Sequence, residues 1–155
     1  MSNSIVIAAA AAAELEPAPI TPGWILSGTP EARNKMIVTS EDRASYIMVW
    51  ECTPGRFNWH YSEDETVVII SGEVFITQGN GPERRLGPGD MAFFPSGCSA
   101  LWRITSKVRK VAVLRNALPM PMALGLRVWN KLLKMAGLRA QPPLLLPVLA
   151  FPAGT

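Results

Sequence analysis

From Trp24 to Leu114 the apolar residues fall in short runs broken by turn residues. Tyr46–Trp50, Thr66–Ile70, Met91–Phe94, Ala100–Ile104 and Val108–Leu114 are rich in β-branched and aromatic side chains, and Glu73–Thr77 alternates with a period of two. Runs of this length and composition fit strands whose side chains point alternately to two faces. Thr53-Pro54-Gly55, Ser71-Gly72, Gly79-Asn80-Gly81 and Leu86-Gly87-Pro88-Gly89-Asp90 punctuate them, and Pro95 stops the run that ends at Phe94. Glycine reaches positive φ without strain and proline cannot donate to a ladder, so these are turns. Turn signals every 8–12 residues or so predict a mainly β domain, an antiparallel barrel or jelly roll of about six to eight strands over residues 24–115.

The period changes after Pro121. Between Met122 and Ala136, Arg127, Asn130, Lys131 and Lys134 share one narrow helical stripe, and Leu124, Val128, Trp129, Leu132 and Leu133 fill the rest. This predicts an amphipathic helix within residues 116–139, with Gly137 as its stop. Four prolines among many leucines exclude a regular helix from the tail, residues 140–155. Ile5–Ala13 is apolar, but no Lys or Arg precedes Arg33, so it lacks the basic start of a secretory signal. Residues 1–23 read as a poorly ordered leader.

Charge adds an asymmetry. All twelve acidic residues lie at or before Asp90, whereas nine of the fifteen basic ones follow it. The cationic end suits an anionic surface, and the basic helix over residues 120–139 could lie weakly on a membrane or pack its apolar face internally. No nucleic-acid motif accompanies the charge. Cys52 and Cys98 have neither disulfide-framework nor zinc spacing, which points to reduced thiols in the cytoplasm.

Two segments resemble the paired signatures of the cupin (RmlC-like) superfamily. In the first, Glu65 precedes Gly72 by six intervening residues, His60 matches a histidine of the family and Asn58 the histidine before it. In the second, Gly89, Pro95 and Gly97 match, while Ala100 stands where a histidine is expected and Ile104 where an asparagine is. The stretch Trp50–Phe57, with Trp59, Asp64-Glu65 and Gly89-Asp90, is similar to one branch, the (S)-ureidoglycine aminohydrolase cupin-domain family, which includes ethanolamine-utilisation cupins. The resemblance covers residues 24–115. It implies a small β-barrel with an internal site and, from the branch, a nitrogenous small molecule and a hydrolase or aminohydrolase type of reaction.

The same resemblance implies a metal held by three imidazoles and a carboxylate, yet the chain has one histidine. A transition-metal site generally needs three protein ligands, so the expectation is no cofactor, the alternative being a divalent ion held weakly by His60 and Glu65. Without metal, His60 and Glu65 could act as an acid–base pair, since imidazole titrates near neutrality. Equally, His60 could be an exposed loop residue and Glu65 a partner of Arg56. Asn58, Trp59, Tyr61, Phe75, Phe94 and Trp102 are candidates to line a ligand pocket, with barrel-core packing as the alternative for each ring. Trp102 shares a strand face with Ala100, the vacated histidine position. The expected function is binding of a small polar molecule in a metal-poor barrel, in a homodimer. The alternative is a non-enzymatic interaction module working through the C-terminal helix.

Overall fold

The computed structural model describes residues 4–116 and 120–137. Its strands are β1 (Glu16–Pro17), β2 (Ile25–Ser27), β3 (Ala32–Thr39), β4 (Ser45–Cys52), β5 (Gly55–His60), β6 (Asp64–Ser71), β7 (Val74–Thr77), β8 (Arg84–Leu86), β9 (Met91–Phe94), β10 (Ser99–Ile104) and β11 (Val108–Arg115), and its one helix of regular length is α1 (Met120–Met135). The strands form two antiparallel sheets, a six-stranded one in the order β1-β3-β4-β11-β6-β9 and a five-stranded one in the order β2-β5-β10-β7-β8. From β4 onward the chain passes back and forth between them, as a jelly roll does.

Alternation explains the core. In β6, Glu65, Val67 and Ile69 are buried and face inward, while Thr66, Val68 and Ile70 face out. In β11, Val108, Lys110 and Ala112 take the inward phase, and in β10 Ala100, Trp102 and Ile104 do. Rings from both sheets meet between them, Phe57, Tyr61 and Trp102 from the five-stranded side and Trp50 and Phe94 from the other.

The expected runs are all strands, but the sheets hold more strands than six to eight. The additional ones are short edges of two or three residues, β1, β2 and β8, and two with mixed composition, β3 and β5. None has a strong period of its own; pairing to a longer neighbour defines them. The leader also ends earlier than residue 23. Glu16–Pro17 pairs with Arg33–Asn34, the Ala18 amide donates to the Ala32 carbonyl at 2.9 Å, and Ile20 is buried. A proline-rich extended segment suits an edge, where one side of the backbone needs no ladder partner.

The chain divides into two units, the first holding both sheets and the second α1. The helix ends where the sequence puts its stop: Gly137 has φ +67° and its amide donates to the Lys134 carbonyl at 3.1 Å. The tail expected over residues 140–155 lies outside the described residues.

Gly72 joins β6 to β7 at φ +73°, and a Cβ there would overlap the Lys107 carbonyl. Both the left-handed backbone and the close approach of a neighbouring chain therefore require glycine. Gly72→Ala is expected to cost about 3 kcal/mol or more in urea unfolding, since backbone cannot retreat as a side chain can. A loss below about 1 kcal/mol would show that this turn does not hold the two sheets in place.

Candidate functional site

Among the described residues, Lys110 and Glu65 are the buried charged side chains, at 4% and 5% exposure. Lys110 stands in the middle of β11 opposite Ile69, whereas Glu65 pairs with Leu114 four residues along the same ladder. Their backbones are therefore about 13 Å apart. The lysine stem runs along the sheet interior to close that gap, and its Nζ reaches Glu65 Oε1 at 2.6 Å. The ammonium also lies over two indoles, 4.6 Å from the Trp102 ring centre and 4.9 Å from that of Trp50. A buried charge is tolerated only when paired, and the negative faces of the rings add to the attraction.

The rings around the pair form one connected set. Trp102 packs edge-on to Trp50 at 5.8 Å and its Nε1 donates to the Tyr61 hydroxyl at 2.9 Å. Tyr61 stacks on Phe94 at 4.5 Å. Trp59 meets Trp50 at 6.0 Å and Trp24 at 5.4 Å, both edge to face. Burial, followed by the charge on Glu65, pushes the Tyr61 hydroxyl well above its ordinary value of 10, and burial with the Glu63 bond does the same for Tyr46.

Beside the pair opens a cavity of about 400 Å³. Trp24, Trp50 and Trp59 wall it, Asn34, Glu65 and Lys110 contribute polar groups, and His60, Tyr46 and Glu63 lie on its border. The Tyr46 hydroxyl donates to Glu63 Oε2, which fixes that carboxylate. A second depression of about 450 Å³ lies between β9 and the β7–β8 hairpin, and Arg84 is its one charged lining residue.

The structure sorts the expected site residues by strand phase. Phe57 and Trp59 face inward on β5, and Tyr61 continues that phase; Asn58 and His60 occupy the opposite one. Counting back from Glu65 with three intervening residues rather than four therefore puts the family's two histidine positions at Tyr61 and Trp59. This corrects the alignment to His60 and Asn58, because a one-residue slip moves every side chain to the other face. His60 is not a loop residue but the last of β5. Its Nδ1 is 2.7 Å from Ser99 Oγ and its ring packs on Trp24 at 5.0 Å, so it borders the cavity without engaging Glu65. The acid–base pairing of His60 with Glu65 is thus replaced by separate partners, and Glu65 takes Lys110 rather than Arg56.

Trp59 and Tyr61 line the cavity. Trp102 shares the inward face with Ala100 but lies beneath Lys110, 1% exposed. Phe94 is buried and borders the second depression instead. Phe75 points outward, where the Arg103 guanidinium covers it at 4.0 Å, so it is no part of the interior. Sequence reasoning missed Lys110, Trp24, Trp50, Tyr46 and Glu63. For Lys110 the signal existed: it is the one charged residue in the inward phase of the run Val108–Leu114.

The residues do not fit a metal centre. The imidazole positions hold Trp59, Tyr61 and Ala100. An indole is no ligand, the Tyr61 phenol is held neutral, and the carboxylate is engaged by an ammonium. Among the described residues no three His, Cys, Asp or Glu side chains gather to hold an ion. The alternative of an ion between His60 and Glu65 meets the same two occupied partners.

Two facing antiparallel sheets joined through glycine turns form a jelly-roll domain. Residues 39–112 match the family model of the EutQ-like cupin domain. Among solved structures, the chain is similar to a protein of unknown function of the DUF861 family from Pseudomonas syringae pv. tomato. The identity is 27% and the TM-score 0.61, over 66% of this chain and 45% of that one, so the chain spans less than half of that relative's length. It is also similar to the EutQ protein of Clostridium difficile, at 19% identity and TM-score 0.51, over 64% of this chain and 82% of that one. A cupin-like protein from Thermotoga maritima gives 16% identity and TM-score 0.52, over 63% and 75%. At these last two identities the likeness is one of fold. No curated protein matches the chain. Among the described residues no helix is long and apolar enough to cross a membrane.

The raised tyrosines give a pH prediction. Tyr61 and Tyr46 stay neutral in the fold above the pH at which they ionise in the unfolded chain, about 10. Their contribution is fully present below that pH and is lost as pH rises toward their folded values. The urea midpoint should therefore fall above about pH 10, and fall less steeply in Tyr61→Phe. An equal slope in both proteins would contradict the assignment to Tyr61.

Proposed function

We propose that this chain is a metal-independent cupin that binds a compact organic amine in the cavity beside Lys110 and Glu65. The observation that carries the reading is the wall of that cavity. Trp24, Trp50 and Trp59 lie edge to face around it, and Glu63 on its border is held by Tyr46. Indole faces attract cations, and a carboxylate alongside selects for a charged nitrogen. Glu65 is already neutralised by Lys110, so Glu63 is the carboxylate that serves the ligand. About 400 Å³ suits a small molecule. The resemblance to the ureidoglycine aminohydrolase and ethanolamine-utilisation branch agrees with a nitrogenous ligand. Proton transfer at the border would fall to His60, held by Ser99, rather than to Glu65.

A jelly-roll barrel closed around this cavity, a two-fold homodimer and a cytoplasmic setting belong to the same reading. Met91 and Phe93 on the outer face of edge strand β9 are exposed apolar groups that a partner would cover, and both cysteines are free thiols.

Tryptophan fluorescence tests the ligand class. Small primary and quaternary amines should give saturable changes that isosteric alcohols and carboxylates do not. Glu63→Gln and Trp59→Leu should each weaken binding about tenfold. Saturation by carboxylates in place of amines, or by none of these at millimolar concentrations, would overturn the proposal.

A further inference from the structure

Around the Lys110 ammonium is a niche with its own chemistry. Glu65 Oε1 accepts a hydrogen bond from Nζ at 2.6 Å, and the faces of Trp102 and Trp50 lie at 4.6 and 4.9 Å. One carboxylate and two indoles around a cation make a binding site for a primary ammonium group. The occupant is supplied by the chain: four methylenes of Lys110 enter from the inward phase of β11, and the ammonium lies over buried Trp102.

We infer that this niche is an ammonium-binding site preloaded by Lys110, the tethered cation taking the charge position that the fold elsewhere gives to a metal. Three features support it. The niche is built, because Trp102 is fixed by its bond to Tyr61 and by packing on Phe57 at 6.2 Å. It is electroneutral with Lys110 in place, so a divalent ion would meet a positive charge beside a single engaged carboxylate. Ala100, the small residue opposite Trp59, stands where a third imidazole would project and brings no donor. The niche borders the cavity, but its occupant and the cavity's ligand are different groups. The inference therefore stands whether or not an amine binds at Glu63.

The experiment shortens the tether in the full chain. Lys110→Ala keeps Glu65 and both indoles but leaves the niche open, whereas Lys110→Met fills it without charge. Both should lower the melting temperature, by on the order of 10 °C, because Glu65 is left buried without its partner. n-Propylammonium at tens of millimolar should restore several degrees to Lys110→Ala, beyond matched sodium chloride or tetramethylammonium and beyond whatever shift it gives Lys110→Met and the unaltered chain through the cavity. Adding Glu63→Gln should leave this rescue intact, which separates it from binding in the cavity. Rescue no larger than that by sodium chloride, or equal rescue of Lys110→Met, would overturn the inference. If Lys110→Ala does not fold, the unaltered chain still decides. Dialysed against Mn²⁺ or Zn²⁺ and desalted, it should keep less than about a tenth of an ion per chain. Retention of roughly one ion per chain, lost in Glu65→Gln, would contradict the tethered-cation account.

Discussion

A charge buried inside a protein of this size must be paired, and in this fold the pair is Lys110 with Glu65. The rest of the interior is arranged around that requirement. Trp50 and Trp102 supply faces to the ammonium, Tyr61 fixes Trp102 through its hydroxyl, and Phe94 stacks on Tyr61. Remove Lys110 alone and the rings surround an unpaired carboxylate. Keep it and they form a continuous packed set ending at the open cavity walled by Trp24 and Trp59. The cavity and the core are thus two ends of one aromatic assembly.

The scaffold and the chemistry have separated in this domain. Gly72 retains the positive φ and close backbone approach that the turn demands, and Gly89 and Gly97 have positive φ as well. These positions fix how the strands connect through backbone geometry alone. Nothing in that geometry requires imidazoles between the sheets. Trp59, Tyr61 and Ala100 fill those positions with packing groups, and the positive charge comes from β11. The Lys110 ammonium satisfies the carboxylate that β6 places at Glu65.

The sequence made the strands legible where they are long and periodic: β6, β10 and β11 read correctly from their β-branched and aromatic runs. The turn glycines read correctly for a conformational reason, since few other residues occupy positive φ. The site was less legible, and the cause is phase. Asn58, Trp59, His60 and Tyr61 are all plausible pocket residues, and only the side-chain alternation of a placed strand separates the inward pair from the outward pair. His60 drew notice as the sole histidine, yet its ring is engaged at the edge by Ser99 and Trp24. Lys110 counted as one of many cationic residues near the C-terminus. Its place in the inward phase of an apolar strand distinguishes it, but its partner is 45 residues away in sequence, and that pairing exists only after the sheet forms.

A double-mutant cycle on the pair measures the central claim. Glu65→Gln, Lys110→Met and the double variant are compared with the unaltered chain by urea unfolding at neutral pH. Each single change leaves a buried charge without its partner and should cost about 3 kcal/mol or more. The double variant removes both charges and should recover much of that, giving a coupling energy of about 2 kcal/mol or larger. Single losses that add to within about 0.5 kcal/mol would show that the two side chains act independently and that the interior is not organised around their contact.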